Sequence, residues 1–414
     1  MTAEVAIINR FGIALAADSA VTIGDERVWK TTNKLFSLSP NHDVGIMIFG
    51  GGSYLGCPWD TLIKEYREAV KDTVFNSVHD VVPNFMHFLL QPRWGTDEED
   101  QLSIVRVIVK ELDEYARSFD DLIDEAEKQL KLDKLIASES EQFKESDPDF
   151  AIDKASFIDD FKPFIDRLTD DLFDFQLLDK QRKDLTDYLY EYVIRKEMIS
   201  NHETGIVFCG FGKDEIYPVL VEHFIDGRYK GVLRTWAGRI YDFNADRGQL
   251  GSLVPFAQRD MTNVFMEGIS NLYVQFFHRI IAELLSRKTN VLVEKFIKDP
   301  SKRKKALATE RKDDVKSLAV VFEAFKEMRQ AESIAPLMSA IRSLPREEMS
   351  AMAEALVELT SLRRKMDSPL QSVAGPVDVA FISKGDGFVW IKRKYYFDGK
   401  QNEDFLARRR KRLG

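Results

Sequence analysis

Cysteine is nearly missing: Cys57 and Cys209 are the only two in 414 residues, and neither stands in a C-x-x-C or Cys/His spacing that would suit zinc or a disulfide framework. Both read as small buried hydrophobes. Histidine is scarce too. The six (His42, His79, His87, His202, His223, His278) are scattered, and no two sit four apart to offer a pair of ligands on one helical face. Neither a metal site nor a bound cofactor is therefore expected. Although 44% of the residues are hydrophobic, no uncharged apolar run reaches the length of about 18 residues that a membrane span needs. The opening Met1-Thr2-Ala3-Glu4-Val5 carries an acid and lacks the basic-then-apolar pattern of a secretory leader. The expectation is a soluble, cytoplasmic chain with no membrane partner. Basic charge is also short, the net being −9, which argues against nucleic acid as a partner. The exception is Arg408-Arg409-Arg410-Lys411-Arg412, which reads as a solvated tail. No Gly-Lys-Ser/Thr follows Gly50-Gly51-Gly52, so that run is not a phosphate-binding loop.

What is present is organised in blocks. Residues 3–23 read as two apolar strands split by a turn at Asn9-Arg10-Phe11-Gly12, and the second strand, Ile13–Ala17, runs into the polar Asp18-Ser19. Further strands are predicted at Lys34–Leu38 and Val44–Phe49, the latter ending at Gly50, with a helix from Pro58 to Val70. Charged, helix-periodic sequence follows: Leu102–Phe119, Asp121–Leu135 and Phe157–Ile194, broken by a loop at Ser138–Pro148. Strands return at Gly205–Gly210, Tyr217–Asp226 and Gly231–Trp236. Helices are expected again over Val254–Leu285, Leu318–Met328 and Ile334–Lys365, around a basic stretch at Lys298–Lys316. A hairpin over Pro376–Ser383 and Gly387–Lys394 turns at Lys384-Gly385-Asp386. The alternation predicts an α+β core of two packed antiparallel sheets with helices outside. Its pieces are 1–70, 204–255 and 360–397, with helical insertions at 72–200 and 270–360 and a basic tail at 398–414.

The N-terminus offers the parts of a hydrolase that uses its own first residue. Removal of Met1 exposes Thr2, whose hydroxyl is a nucleophile and whose freed α-amine accepts a proton near neutral pH. Such an amine works best beside a lysine that discourages its protonation and steadies the alkoxide, with a carboxylate to hold that lysine. Asp18 at a strand end and Lys34 at a strand start supply the pair, and Gly50 or Gly51 offers an unobstructed backbone N–H to an oxyanion. Ser19 and Thr32 read as structural polar residues.

These residues carry a resemblance. Gly12-Ile13-Ala14-Leu15-Ala16-Ala17-Asp18-Ser19-Ala20-Val21-Thr22 resembles the strand that follows the catalytic threonine of proteasome β-subunits, and the spacing from Thr2 through Lys34 holds without a gap. Lys34-Leu35-Phe36 is similar to that family's lysine segment, and Ile48-Phe49-Gly50-Gly51 to its oxyanion strand. The run from Met366 to Ala380 is similar to the late helix, serine loop and V-D-V-A strand, most closely in Anbu-type bacterial proteasome homologues. Ala20 stands where many members carry arginine, and the two helical insertions exceed the family's size.

The resemblance implies an N-terminal-nucleophile hydrolase with a four-layer αββα sandwich. It adds Asp367 and Ser372 as accessory aspartate and serine beside the threonine amine. The implied activity is a threonine-type peptidase or amidohydrolase acting on a peptide or protein substrate, as a homo-oligomer, with no unfoldase partner identified. A catalytically silent proteasome-like scaffold and a hydrolase of small amides are the alternatives.

Overall fold

Ala3–Asn9 (β1) and Gly12–Ala17 (β2) form the opening hairpin, in register from Glu4↔Ala17 to Asn9↔Gly12. The Asn9 side chain accepts the Phe11 amide at 2.9 Å, and Gly12, at φ 149°, closes the turn in a conformation that favours glycine. The structure is a computed structural model that describes residues 3–19, 21–23, 27–29, 32–143, 147–195, 200, 202–246, 248, 250–367, 376–394, 402–403 and 407. The chain divides into two units, one of residues 1–32, 245–381 and 389–414, the other of residues 33–244 and 382–388. The first unit continues with a small antiparallel ribbon, Val21–Ile23 (β3) and Arg27–Trp29 (β4).

The second unit begins with Leu35–Ser37 (β5), Asp43–Gly50 (β6) and the short pair Ser53–Tyr54 (β7) and Cys57–Pro58 (β8). Helices follow at Trp59–Val70 (α1), Val78–Leu89 (α2), Asp97–Ser118 (α3), Glu125–Phe143 (α4), Lys154–Leu172 (α5) and Asp179–Val193 (α6). Their starts are written in the sequence: Ser77 with Asp80 and Thr96 with Glu99 form capping boxes on α2 and α3. Thr204–Phe211 (β9), Val219–Tyr229 (β10) and Val232–Asp242 (β11) complete a sheet of order β11-β10-β9-β6-β5, antiparallel throughout. Trp59, Ile63 and Tyr66 of α1 and Val81 and Phe85 of α2 bury one face of it against Ile46, Phe208 and Val221. At about 1.5–3 kcal/mol per fully buried large side chain, this layer is a main source of the unit's stability. Helices α3–α6 build a second core around Phe157, Phe161, Leu185 and Tyr188. The Arg228 Nε, 3.0 Å from both Asp100 oxygens, ties that bundle to β10.

Returning to the first unit, the chain forms Gly251–Ala257 (β12), Asp260–Glu267 (α7), Asn271–Phe296 (α8), Pro300–Arg329 (α9), Ala335–Ile341 (α10), Arg346–Asp367 (α11), Asp378–Ser383 (β13) and Gly387–Lys392 (β14). The sheet order is β12-β1-β2-β13-β14. Met349, Ala353, Leu356 and Val357, at helical spacing on α11, pack on Ala3, Val5 and Ile7 of β1 and Ala14 and Ala16 of β2. Asn9 Nδ2 donates to the Ile341 and Leu344 carbonyls, both at 2.9 Å, and so anchors the end of α10 to the hairpin. The class is α+β, with two large antiparallel sheets and helices packed on each.

Four sequence expectations need correction. Val254–Leu285 is not one helix: Gly251–Ala257 is a strand and helix starts only at Asp260. Leu253, Val254 and Phe256 are buried against β1, and Pro255 is tolerated because β12 is an edge strand. Phe157–Ile194 is two helices, parted at Phe173–Leu178 where Phe173, Phe175 and Leu177 turn into the bundle core. The loop expected from Ser138 begins later, because α4 continues to Phe143. Lys298–Lys316 and Leu318–Met328 form a single helix, α9, started by the Asp299 side chain and by proline in its first turn.

Candidate active site

Asp18 follows the last residue of β2 and is buried. Small alanines at 14, 16 and 17 let that strand lie close under α11 and bring its polar end out at a fixed point. The Asp18 amide donates to the Ala3 carbonyl at 3.0 Å, and its Oδ1 accepts the Ala3 amide at 3.2 Å. The carboxylate thus grips the backbone of the residue after Thr2. Thr2 itself lies outside the described residues, as does Ser372. Asp367 is the last residue of α11, and its side chain is likewise outside them.

A second polar cluster surrounds Ser19 in the same unit. The Lys394 ammonium donates to Asp378 Oδ2 at 2.6 Å, Ser19 Oγ at 2.6 Å and the Thr32 carbonyl at 2.8 Å, using all three of its protons. The Lys394 amide donates to the other Asp378 oxygen at 2.8 Å, and Ser19 Oγ donates to the Pro376 carbonyl at 2.6 Å. The lysine and aspartate side chains are only 10% and 4% exposed. Sequence reading missed Lys394, which meets Ser19 across 375 positions with no spacing pattern to announce it. Asp378 was visible only as part of the V-D-V-A strand.

The remaining candidates belong to the second unit. Lys34 is buried just before β5, and its carbonyl accepts the Ile48 amide at 3.0 Å. Gly50 ends β6 at φ 81°, where a Cβ would stand 2.4 Å from the Glu203 carbonyl oxygen; at Gly51 it would stand 2.4 Å from that of His202. Glycine is therefore demanded by strand packing at both positions. The Gly51 amide donates to the Glu203 carbonyl at 2.9 Å. Thr204 Oγ1 donates to the Gly51 carbonyl at 3.1 Å and accepts the Trp59 indole N–H at 2.9 Å, fixing the glycine turn to the start of α1.

Among the described residues no cluster of three histidine, cysteine or acidic side chains is placed to hold a metal, and no helix is long and apolar enough to cross a membrane. Burial pushes the Cys209 thiol far up, so it is an inert core group.

No protein-family model matches the chain, and no curated protein matches it. Among solved structures it is similar to Anbu (ancestral beta-subunit) from Yersinia bercovieri, at 10% identity over 98% of this chain and 95% of that one. The TM-score is 0.27, a likeness too distant to carry any conclusion about this chain.

Proposed function

We propose that the chain is an N-terminal threonine amide hydrolase, a proteasome-like peptidase whose nucleophile is Thr2 once Met1 has been removed. The observation that supports this most is Asp18: a buried carboxylate just after β2 that accepts the amide of Ala3, the residue that follows Thr2 in the sequence. In this reading Thr2 Oγ attacks the substrate carbonyl while the Thr2 amine takes its proton, and the amine returns that proton to the leaving amine. Water then releases the acyl-enzyme. Lys34 is proposed, from the sequence resemblance, to lower the proton affinity of the amine and to stabilise the alkoxide. Gly50 or Gly51 is the proposed oxyanion donor, and Gly50 is favoured because the Gly51 amide is bound to Glu203. Asp367 and Ser372 are proposed, from the sequence resemblance, to orient the threonine amine. Peptide amides are the proposed substrates.

Mass spectrometry of the purified protein's N-terminus, with labelling by a threonine-directed electrophile, tests the reading. The mature chain should begin at Thr2 and carry one adduct there. Thr2→Ala should abolish labelling, and Lys34→Ala should slow it by about 10²-fold or more while the fold is kept. Retained Met1, or a Met1-free chain that takes no adduct, would replace this reading with a silent scaffold.

A further inference from the structure

Helix α8 pairs with α9 through one side only. His278 meets the Phe322 ring at 4.8 Å, Thr289 Oγ1 donates to Asp314 Oδ2 at 2.7 Å, and Val293 is buried. On the opposite side of α8, Tyr273, Phe277, Ile280, Leu284, Arg287 and Val291 follow one another at alternating steps of four and three. At 100° per residue they fall within an arc of about 80°, turned away from Thr289 and Val293. Tyr273 is 62% exposed, Phe277 48%, Leu284 60% and Val291 56%. A spacing of 3.5 residues is the pattern of a helix that packs against another helix along its length.

We propose that this stripe is a self-association seam, on which α8 of a second copy of this chain packs in parallel. With the neighbouring Leu272 and Phe276, which are also exposed, the stripe presents on the order of 700 Å² of apolar surface per copy. That is close to the roughly 800 Å² each partner gives to a stable interface, and it exceeds the largest apolar patch of most monomers. Charge selects the occupant. In a parallel pair the residue flanking the seam at one position faces the partner's residue five further on, which sets Glu283 of one copy against Lys288 of the other. Arg287 is the one charged residue on the seam. A two-helix assembly accommodates it, because there a long side chain can carry its head to solvent over its own methylenes. This seam lies in the first unit's helical hairpin and does not depend on the hydrolase reading.

The test is the mass of the full-length protein in solution by light scattering at micromolar concentration. Wild type should sediment and scatter as two chains, and Phe277→Glu with Leu284→Glu should halve the mass with unchanged far-UV circular dichroism. Leu284→Cys, in a Cys57→Ser background, should give a disulfide-linked dimer under mild oxidation; should the double variant lose helicity, this cross-link decides. A monomeric wild type, an assembly whose mass the double substitution leaves unchanged, or failure of Leu284→Cys to cross-link overturns the proposal. So does a wild-type monomer that co-sediments with anionic vesicles through the same residues.

Discussion

Asp18→Asn separates the observed grip on the Ala3 amide from the proposed catalytic role, whereas Asp18→Ala removes both together. Asparagine keeps an oxygen to accept the Ala3 amide but loses the charge, so unfolding free energy should change by less than about 1 kcal/mol while electrophile labelling of Thr2 falls by about 10²-fold. Equal losses in both measurements would make Asp18 a structural clasp alone. Lys394 is a different kind of residue, since it acts on the strand ends through Ser19, Thr32 and Asp378. Lys394→Met leaves the buried Asp378 without its cation and should cost about 3 kcal/mol in a urea melt, with labelling slowed because the chain after Asp18 loses its anchor. Lys394→Arg, which keeps the charge, should recover most of the labelling rate; failure to do so would show that only packing was lost. At this scale the sequence was readable where a residue ends a strand of small apolar side chains, as Asp18 does. It was silent at Lys394, whose partners are brought to it only by the pairing of strands.

Among elements, the strands with short apolar runs bounded by turn or polar residues were legible, β1, β2, β6, β9 and β13 among them, because such strands are buried on both faces. Strand β12 was not, since Leu253-Val254-Pro255-Phe256 abuts a true helix and periodicity cannot part a short buried strand from a helical turn. Strand β10 carries its own pH response. Burial pushes His223 down to about 4, and its Nδ1 has no hydrogen-bond partner among the described residues. A folded value below the unfolded 6.5 means that the stability His223 contributes is full above about pH 6.5 and is lost as pH falls from there through 4. The buried carboxyls Glu111 and Glu215, pushed up by burial, oppose this trend, because their protonation on acidification favours the folded state. The difference between wild type and His223→Phe isolates the histidine. Between pH 7 and 4 wild type should lose on the order of 2 kcal/mol more than the variant by urea midpoint, and parallel pH profiles would refute it.

At the scale of the molecule, the two-sheet α+β class was visible from the order of strand and helix blocks, whereas which strands become neighbours was not. Strand β1 lies between β2 and β12, and β2 between β1 and β13, so the first strands of the chain are flanked by residues 251–257 and 378–383. A chain ended at residue 375 should therefore keep the sheet and helices of residues 33–244, though without residues 382–388, yet give no labelling at Thr2, with the first unit's amides exchanging freely with solvent. Protection of β1 and β2 in that truncation would show that the hairpin stands without its late partners. The same strand order sets a clock on the ribosome. At about 5–20 residues per second, the N-terminus is made tens of seconds before Asp378 and Lys394 emerge to close the sheet beside it. If Thr2 is the nucleophile proposed above, early removal of Met1 leaves it waiting on an unfinished scaffold, and the proposed activity would switch on only when translation is almost complete.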